Sequence, residues 1–233
     1  MRFELYLESG PQHRKTWVFV PGLPGCTARG PTTDTAIEKA PAAILDRLAF
    51  LRRHGEHVAD PEPIELVVAE HVIERKWLGF GLQFFAADRL PLTEEDVRSQ
   101  LRWAGWSREE FVAAARAQSL PLSSKPASGG RSAAEILAHV AGAEWGYVGS
   151  TLGSLPGHSR AMKAIEGAGS EPWEALANER ETVLARISEM SEDERTRVIE
   201  TEGKTPRSAR RMLRRMLEHE WEHSLELRAR LET

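Results

Sequence analysis

The spacing of hydrophobic positions changes period partway along the chain. Phe3, Leu5 and Leu7 alternate with Glu4, Tyr6 and Glu8, the period-two pattern of a half-buried strand. After the Gly10-Pro11 turn, Trp17-Val18-Phe19-Val20 is rich in β-branched and aromatic residues. It predicts a second strand, antiparallel to the first. Pro21, Gly22, Pro24 and Gly25 end it. Thr32 or Thr33 caps a predicted helix to about Arg53, with a core stripe of Ile37, Ala40, Ile44, Leu48 and Leu51 and a kink expected at Pro41. Residues 64–69 (Ile-Glu-Leu-Val-Val-Ala) predict a third strand. Phe80, Leu82 and Phe84 alternate and predict a short extra strand or a packed linker. The order β-β-α-β describes a small α+β domain with a helix on an antiparallel sheet.

Beyond about Leu92 the period becomes helical. Thr93-Glu94-Glu95-Asp96 has capping-box spacing and opens a predicted helix to about Ala117. Ser132-Ala133-Ala134-Glu135 is a second box, opening a helix to about Leu152 that Gly153 ends. A third helix is predicted from Glu171 to about Met190, with Pro172 tolerated in its first turn. A fourth runs from Thr205-Pro206 to Leu231. Four helices joined by loops are the elements of a four-helix bundle. The expected division is one domain at residues 1–85, linker included, and a second at 86–233.

Composition narrows the class. The 233 residues carry a net charge of −4, which argues against a general nucleic-acid partner. No apolar run is long enough to span a membrane, and the first residues do not form a signal peptide, so a cytoplasmic protein is expected. A single cysteine, Cys26, excludes an intramolecular disulfide and a cysteine-rich zinc module. No neighbour in its turn would activate the thiol, and a structural role is expected.

The candidate chemistry lies in three histidines. Met212, Met216, His219, His223 and Leu227 recur at spacings of three and four on the fourth helix, and Ile136, His139, Ala143 and Tyr147 do so on the second. An i, i+4 histidine pair can direct two ring nitrogens at one ion, and a third imidazole from another helix would leave coordination positions for water or substrate. The competing reading is three core histidines with satisfied hydrogen bonds, and the pattern alone leaves both open. Glu144, Glu220 and Glu222 could orient the imidazoles. For Glu220 and Glu222 a solvated or arginine-paired position is the expectation. The run Arg207, Arg210, Arg211, Arg214 and Arg215 reads as a solvated, salt-bridged face, with a basic mouth for an anionic substrate as the alternative.

The segment around His139-Val140-Ala141-Gly142-Ala143-Glu144-Trp145, together with His219-Glu220-Trp221-Glu222-His223, resembles the DinB/YfiT-like superfamily over about residues 92–231. The resemblance implies a four-helix bundle that binds a divalent metal ion, zinc or nickel foremost, through His139, His219 and His223. It also implies thiol-transferase or hydrolase chemistry on a small-molecule substrate, a low-molecular-weight thiol among the candidates. Pro21-Gly22-Leu23-Pro24-Gly25-Cys26, followed by the threonine-capped helix, resembles the HicB-like antitoxin domain over about residues 1–73. That implies a protein partner for the first domain. No DNA-binding segment follows it, which speaks against a repressor role. The two functional expectations are therefore a metal-dependent enzyme with an appended HicB-like domain, and a non-catalytic, metal-stabilised binding protein that engages a partner through that domain. A homodimer is a further expectation, from the exposed edges of the sheet and the aromatics Trp77, Phe80, Phe84 and Phe85, with packing of these aromatics between the sheet and the bundle as the equal alternative.

Overall fold

A computed structural model of the chain describes residues 1–73, 83–127 and 129–231. Its residues cluster into two compact units. One comprises Met1–Leu90 with Val198–Glu218, the other Pro91–Arg197 with His219–Thr233. This division is discontinuous along the chain, and one of its boundaries falls inside the last helix.

The first unit is built on a four-stranded sheet in the order β3-β2-β1-β4, formed by β1 (Arg2–Ser9), β2 (Arg14–Phe19), β3 (Thr27–Thr32) and β4 (Glu65–Ile73). β1 pairs antiparallel with β2, and β2 with β3. Between β3 and β4 runs α1 (Thr33–Arg53), which packs on β2 and β3. A connection of that length can return the chain parallel to its start, and β4 pairs parallel with β1. The expected three-strand antiparallel sheet is corrected on both counts. β3 carries Gly30 and Pro31, poor strand formers that an edge position tolerates. The predicted helix is present, capped by Thr32, whose side chain accepts from the Thr35 amide. It continues through Pro41 as one helix, with Ala40, Ile44, Leu48 and Leu51 buried. Trp77, Phe80 and Leu82 lie outside the described residues.

The two central strands, β1 and β2, are covered on both faces. Tyr6, Trp17 and Phe19 share one face and pack with Phe85, whose ring centroid lies 5.5 Å from that of Tyr6 and 5.6 Å from that of Phe19. Glu8, expected to face solvent, is fully buried. Asp88 receives a two-pronged ion pair from Arg214, with Nε–Oδ1 and Nη2–Oδ2 both 2.8 Å. Arg214 also pairs with Glu218, as does Arg215. Arg210 and Arg211 donate to the backbone carbonyls of Leu90 and Gln83. The basic run is therefore structural in this unit. Arg214 and Arg215 are buried, which corrects both the solvated-face reading and the basic-mouth alternative for these two residues.

The turn after β2 encloses Cys26. Burial pushes its thiol up to about 12, against the opposing pull of Arg47, so the sulfur stays protonated and inert. Arg47 is itself buried and donates from Nε to the Pro24 carbonyl at 2.9 Å. Its guanidinium lies across Gly25, where a Cβ would stand 2.6 Å from Cζ, and Gly25 has a φ of +91°.

The second unit is helical, apart from residues 198–218 that belong to the first. α2 (Glu94–Arg116) and α3 (Ala133–Leu152) open with the predicted capping boxes, Thr93 with Asp96 and Ser132 with Glu135. α4 (His158–Gly167), α5 (Trp173–Ser188) and α6 (Glu192–Thr196) follow. A two-residue hairpin, β5 (Val198–Ile199) with β6 (Arg207–Ser208), then leads into α7 (Ala209–Ala229). The four long helices α2, α3, α5 and α7 are the four predicted ones. α4, α6 and the hairpin were not expected. Phe111, Ala115, Ile136, Val140, Ile165, Leu176 and Leu227 form a buried core drawn from α2, α3, α4, α5 and α7.

The Gly25 contact yields a prediction. Gly25→Ala should cost about 1–3 kcal/mol from the left-handed backbone and the clash with Arg47. Gly22→Ala, which meets nothing within 4 Å, should be near neutral. Hydrogen exchange of the β2 and β3 amides would separate the two variants, and equal protection in both would refute the assignment.

Candidate metal centre

Helical spacing brings His219 and His223 one above the other on α7, and α3 supplies His139 opposite them. The Nε2 atoms of His139 and His219 stand 3.1 Å apart, and one nitrogen from each of the three rings lies within 4.8 Å of the others. Ring centroids are 4.8–5.2 Å apart, with interplanar angles of 74–90°. His219 and His223 are partly buried, and His139 is the most open of the three. They thus sit at the margin of the helical core, where solvent or a small molecule can reach them, and not fully inside it as the apolar stripes suggested.

The arrangement fits a divalent ion. Ligand nitrogens held 2.0–2.1 Å from one tetrahedral ion stand about 3.3–3.4 Å apart, close to the His139–His219 separation. Without an ion, one of those two rings must donate Nε2–H to the lone pair of the other. His223 Nδ1 lies 2.8 Å from Glu226 Oε2, so the carboxylate can hold the proton on Nδ1 and leave the Nε2 lone pair for a metal. Glu226 also pairs with Arg230 at 2.6 Å, and His223 and Arg230 together hold its carboxyl below the usual range. His139 is held below the ordinary imidazole range by burial, then by Arg131 and His223, which favours the neutral, ligating form. Tyr147 packs edge-on against His219 at 6.1 Å.

A buried ionic cluster occupies the adjoining faces of the same helices. Arg108 of α2 donates to Glu144 of α3 (2.7 Å), Glu179 of α5 (3.2 Å) and Glu220 of α7 (2.6 Å). Arg180 of α5 bridges Glu144 and Glu220. All five side chains are buried. Three carboxylates face two guanidinium groups, so the cluster has one acid in excess. Burial pushes the carboxyls of both Glu144 and Glu179 up, and that of Glu179, which also feels the charge of Glu144, reaches about 8, so the excess proton is assigned to Glu179. Glu220 lies instead below the usual range. Arg108 and Arg180 hold it there against the cost of burial.

A family model described as the DinB superfamily matches residues 86–227. The chain belongs to the DinB superfamily. Members of that superfamily generally bind metal, and the three histidines that cluster here lie within the matched segment. No curated protein matches the chain, and no solved structure does. Among the described residues no helix is long and apolar enough to cross a membrane.

The structure thus brings together all three histidines named from the sequence. Glu220 is arginine-paired, one of the two positions expected for it, and is buried rather than solvated, while Glu144, left open by the sequence, joins the same ionic cluster. Glu226 was missed, although its place three residues after His223 on one helix face was a usable signal. Arg108, Glu179 and Arg180 were missed too, despite lying on the apolar stripes of α2 and α5.

The charge imbalance makes a pH prediction. Glu179 releases its proton near 4.5 when unfolded and near 8 when folded. Between these values the folded chain binds more protons, so this group's contribution to stability falls as pH rises through the window. Glu179→Gln should flatten that slope. Arg108→Met, which strands buried carboxylates, should cost about 3–5 kcal/mol. Urea denaturation of the variants at pH 5 and pH 8 measures both effects. An unchanged slope in Glu179→Gln would refute the proton assignment.

Proposed function

We propose that this DinB-superfamily chain is a divalent-metal-dependent enzyme, a thiol transferase or hydrolase, whose ion is held by His139, His219 and His223. The observation that carries this reading is the convergence of the three ring nitrogens beside a cavity of about 510 Å³ that has His139 in its wall. Three protein ligands leave coordination open for water, a thiol or a carbonyl, as catalytic zinc sites do. When bound, the ion would lower the pKa of a coordinated water or thiol and polarise an electrophile.

The chain's own residues have separate tasks in this reading. Glu226 fixes the tautomer and rotation of His223. The edge of Tyr147 limits the rotation of His219. The apolar side chains of the helical core exclude bulk water from one side of the site. Zinc and nickel both suit three imidazoles, and the surrounding residues do not choose between them. We read the four long helices as a DinB-like four-helix bundle. Residues 1–73 are read as a HicB-like domain on their Pro-Gly-Leu-Pro-Gly-Cys turn and threonine-capped helix, with capture of a partner protein as the expected role. A chain that captured such a partner with no turnover would be the binding protein of the second expectation.

Elemental analysis of tag-free protein should find about one divalent ion per chain. His139→Ala, His219→Ala and His223→Ala should each lose it, and Glu226→Ala should weaken affinity about 10–100-fold. Occupancy should fall below about pH 6, where imidazoles protonate. Full occupancy in all three histidine variants would overturn the site. Metal-dependent transfer from a panel of low-molecular-weight thiols to activated electrophiles, abolished in His223→Ala, tests the activity. No turnover across thiols and esters by metal-loaded protein would overturn the enzymatic reading and leave the metal site standing.

A further inference from the structure

The cavity beside His139 has a chemistry of its own. Ala134 and Ala138 of α3, Met162 and Ile165 of α4, and Pro172 before α5 give it a mostly apolar wall of about 510 Å³, within the range that holds a drug-sized molecule. Met162 of α4 reaches α3 at Gly142, where its Cε lies 3.4 Å from the position a Cβ would take, an ordinary van der Waals contact. The charged groups in the wall, apart from the imidazole of His139, are two carboxylates, Glu135 and Glu166, and among the described residues no lysine or arginine lines it. Glu135 is held in place by the capping box, where it accepts from the Ser132 amide at 2.7 Å, and Lys125 Nζ stands 3.5 Å from its other carboxylate oxygen.

A metal centre flanked by this wall does not suit an anionic substrate. An anion entering the cavity would lose its hydration against methyl and methylene groups and meet two carboxylates. An uncharged ring or branched alkyl group would gain about 25 cal/mol for each Å² it removes from water. We infer that the cavity lined by Ala134, Ala138, Met162 and Ile165 is the specificity pocket for the uncharged, apolar body of the electrophilic substrate, seated so that its reactive end reaches the ion on His139. This rests on the metal-dependent reading above. It selects, among hydrolysable or thiol-accepting compounds, those with an aryl or alkyl group and no negative charge on that group.

The test uses the full metal-loaded chain and two fluorescent probes that share one aromatic body, uncharged N-phenyl-naphthylamine and the anionic anilinonaphthalene sulfonate. The uncharged probe should bind at least tenfold more tightly, and Glu135→Gln with Glu166→Gln should narrow the gap. Ala138→Trp and Ala134→Trp each fill the cavity from a partly exposed position, so one can serve if the other misfolds. Each should weaken the uncharged probe at least tenfold with metal content per chain unchanged. Cobalt in place of zinc should quench the bound probe, as proximity to the ion requires. The inference is overturned if the sulfonate binds as tightly as the uncharged probe. It is also overturned if both folded tryptophan variants bind the uncharged probe like the parent, or if cobalt and zinc give the same fluorescence. Loss of the ion itself is read separately, by elemental analysis of the same samples. An ion-free parent chain would sink the metal reading, and with it the proposed seating.

Discussion

The buried cluster of Arg108, Arg180, Glu144, Glu179 and Glu220 is the constraint on which the geometry of the helical unit depends. A buried carboxylate without its guanidinium costs several kcal/mol, so each helix that contributes one has little freedom to rotate or slide. Glu144 lies five residues after His139 on α3, and Glu220 immediately follows His219 on α7. At 100° per residue, fixing Glu144 and Glu220 on the cluster fixes where the histidines of the same two helices point. The ionic cluster and the imidazole cluster are therefore neighbouring faces of one arrangement, the first rigid and closed, the second partly open.

The first unit relies on the same device with different residues. Arg214 and Arg215 from α7 meet Asp88 and Glu218, and Arg47 from α1 braces the turn around Cys26. In both units arginine is the buried cation, as suits its planar fork of donors and its weak hydration. Such pairs add little net stability over well-packed apolar groups, but they penalise alternative helix registers severely. For a metal centre built from two helices, register is what decides whether three nitrogens converge.

Much of this was legible in the chain. The capping boxes at Thr93 and Ser132 placed helix starts to the residue, and the choice of Thr32 or Thr33 placed a third to within one, because the hydrogen bonds that begin a helix are local. The spacing of His219 and His223, with His139 on a second stripe, brought out the site. What could not be seen is non-local. Thr27–Thr32 is a strand only because β2 pairs with it, and β4 is parallel to β1 only because α1 carries the chain across. α4 is short and flanked by Gly153, Gly157 and Gly169, so it resembles a loop. The charged side chains at stripe positions, Arg108, Glu144, Glu179 and Glu220, look solvated one helix at a time. Their burial becomes intelligible only when four helices offer opposite charges to one point.

The central claim is that His139, His219 and His223 bind one ion together. X-ray absorption at the zinc edge of the loaded protein tests it without reference to any substrate. The account predicts three imidazole nitrogens at about 2.0–2.1 Å, with the remaining coordination filled by light solvent or substrate atoms, and loss of one imidazole contribution in His139→Ala. A shell with fewer than three imidazoles in the parent protein, or a spectrum that His139→Ala leaves unchanged, would contradict it.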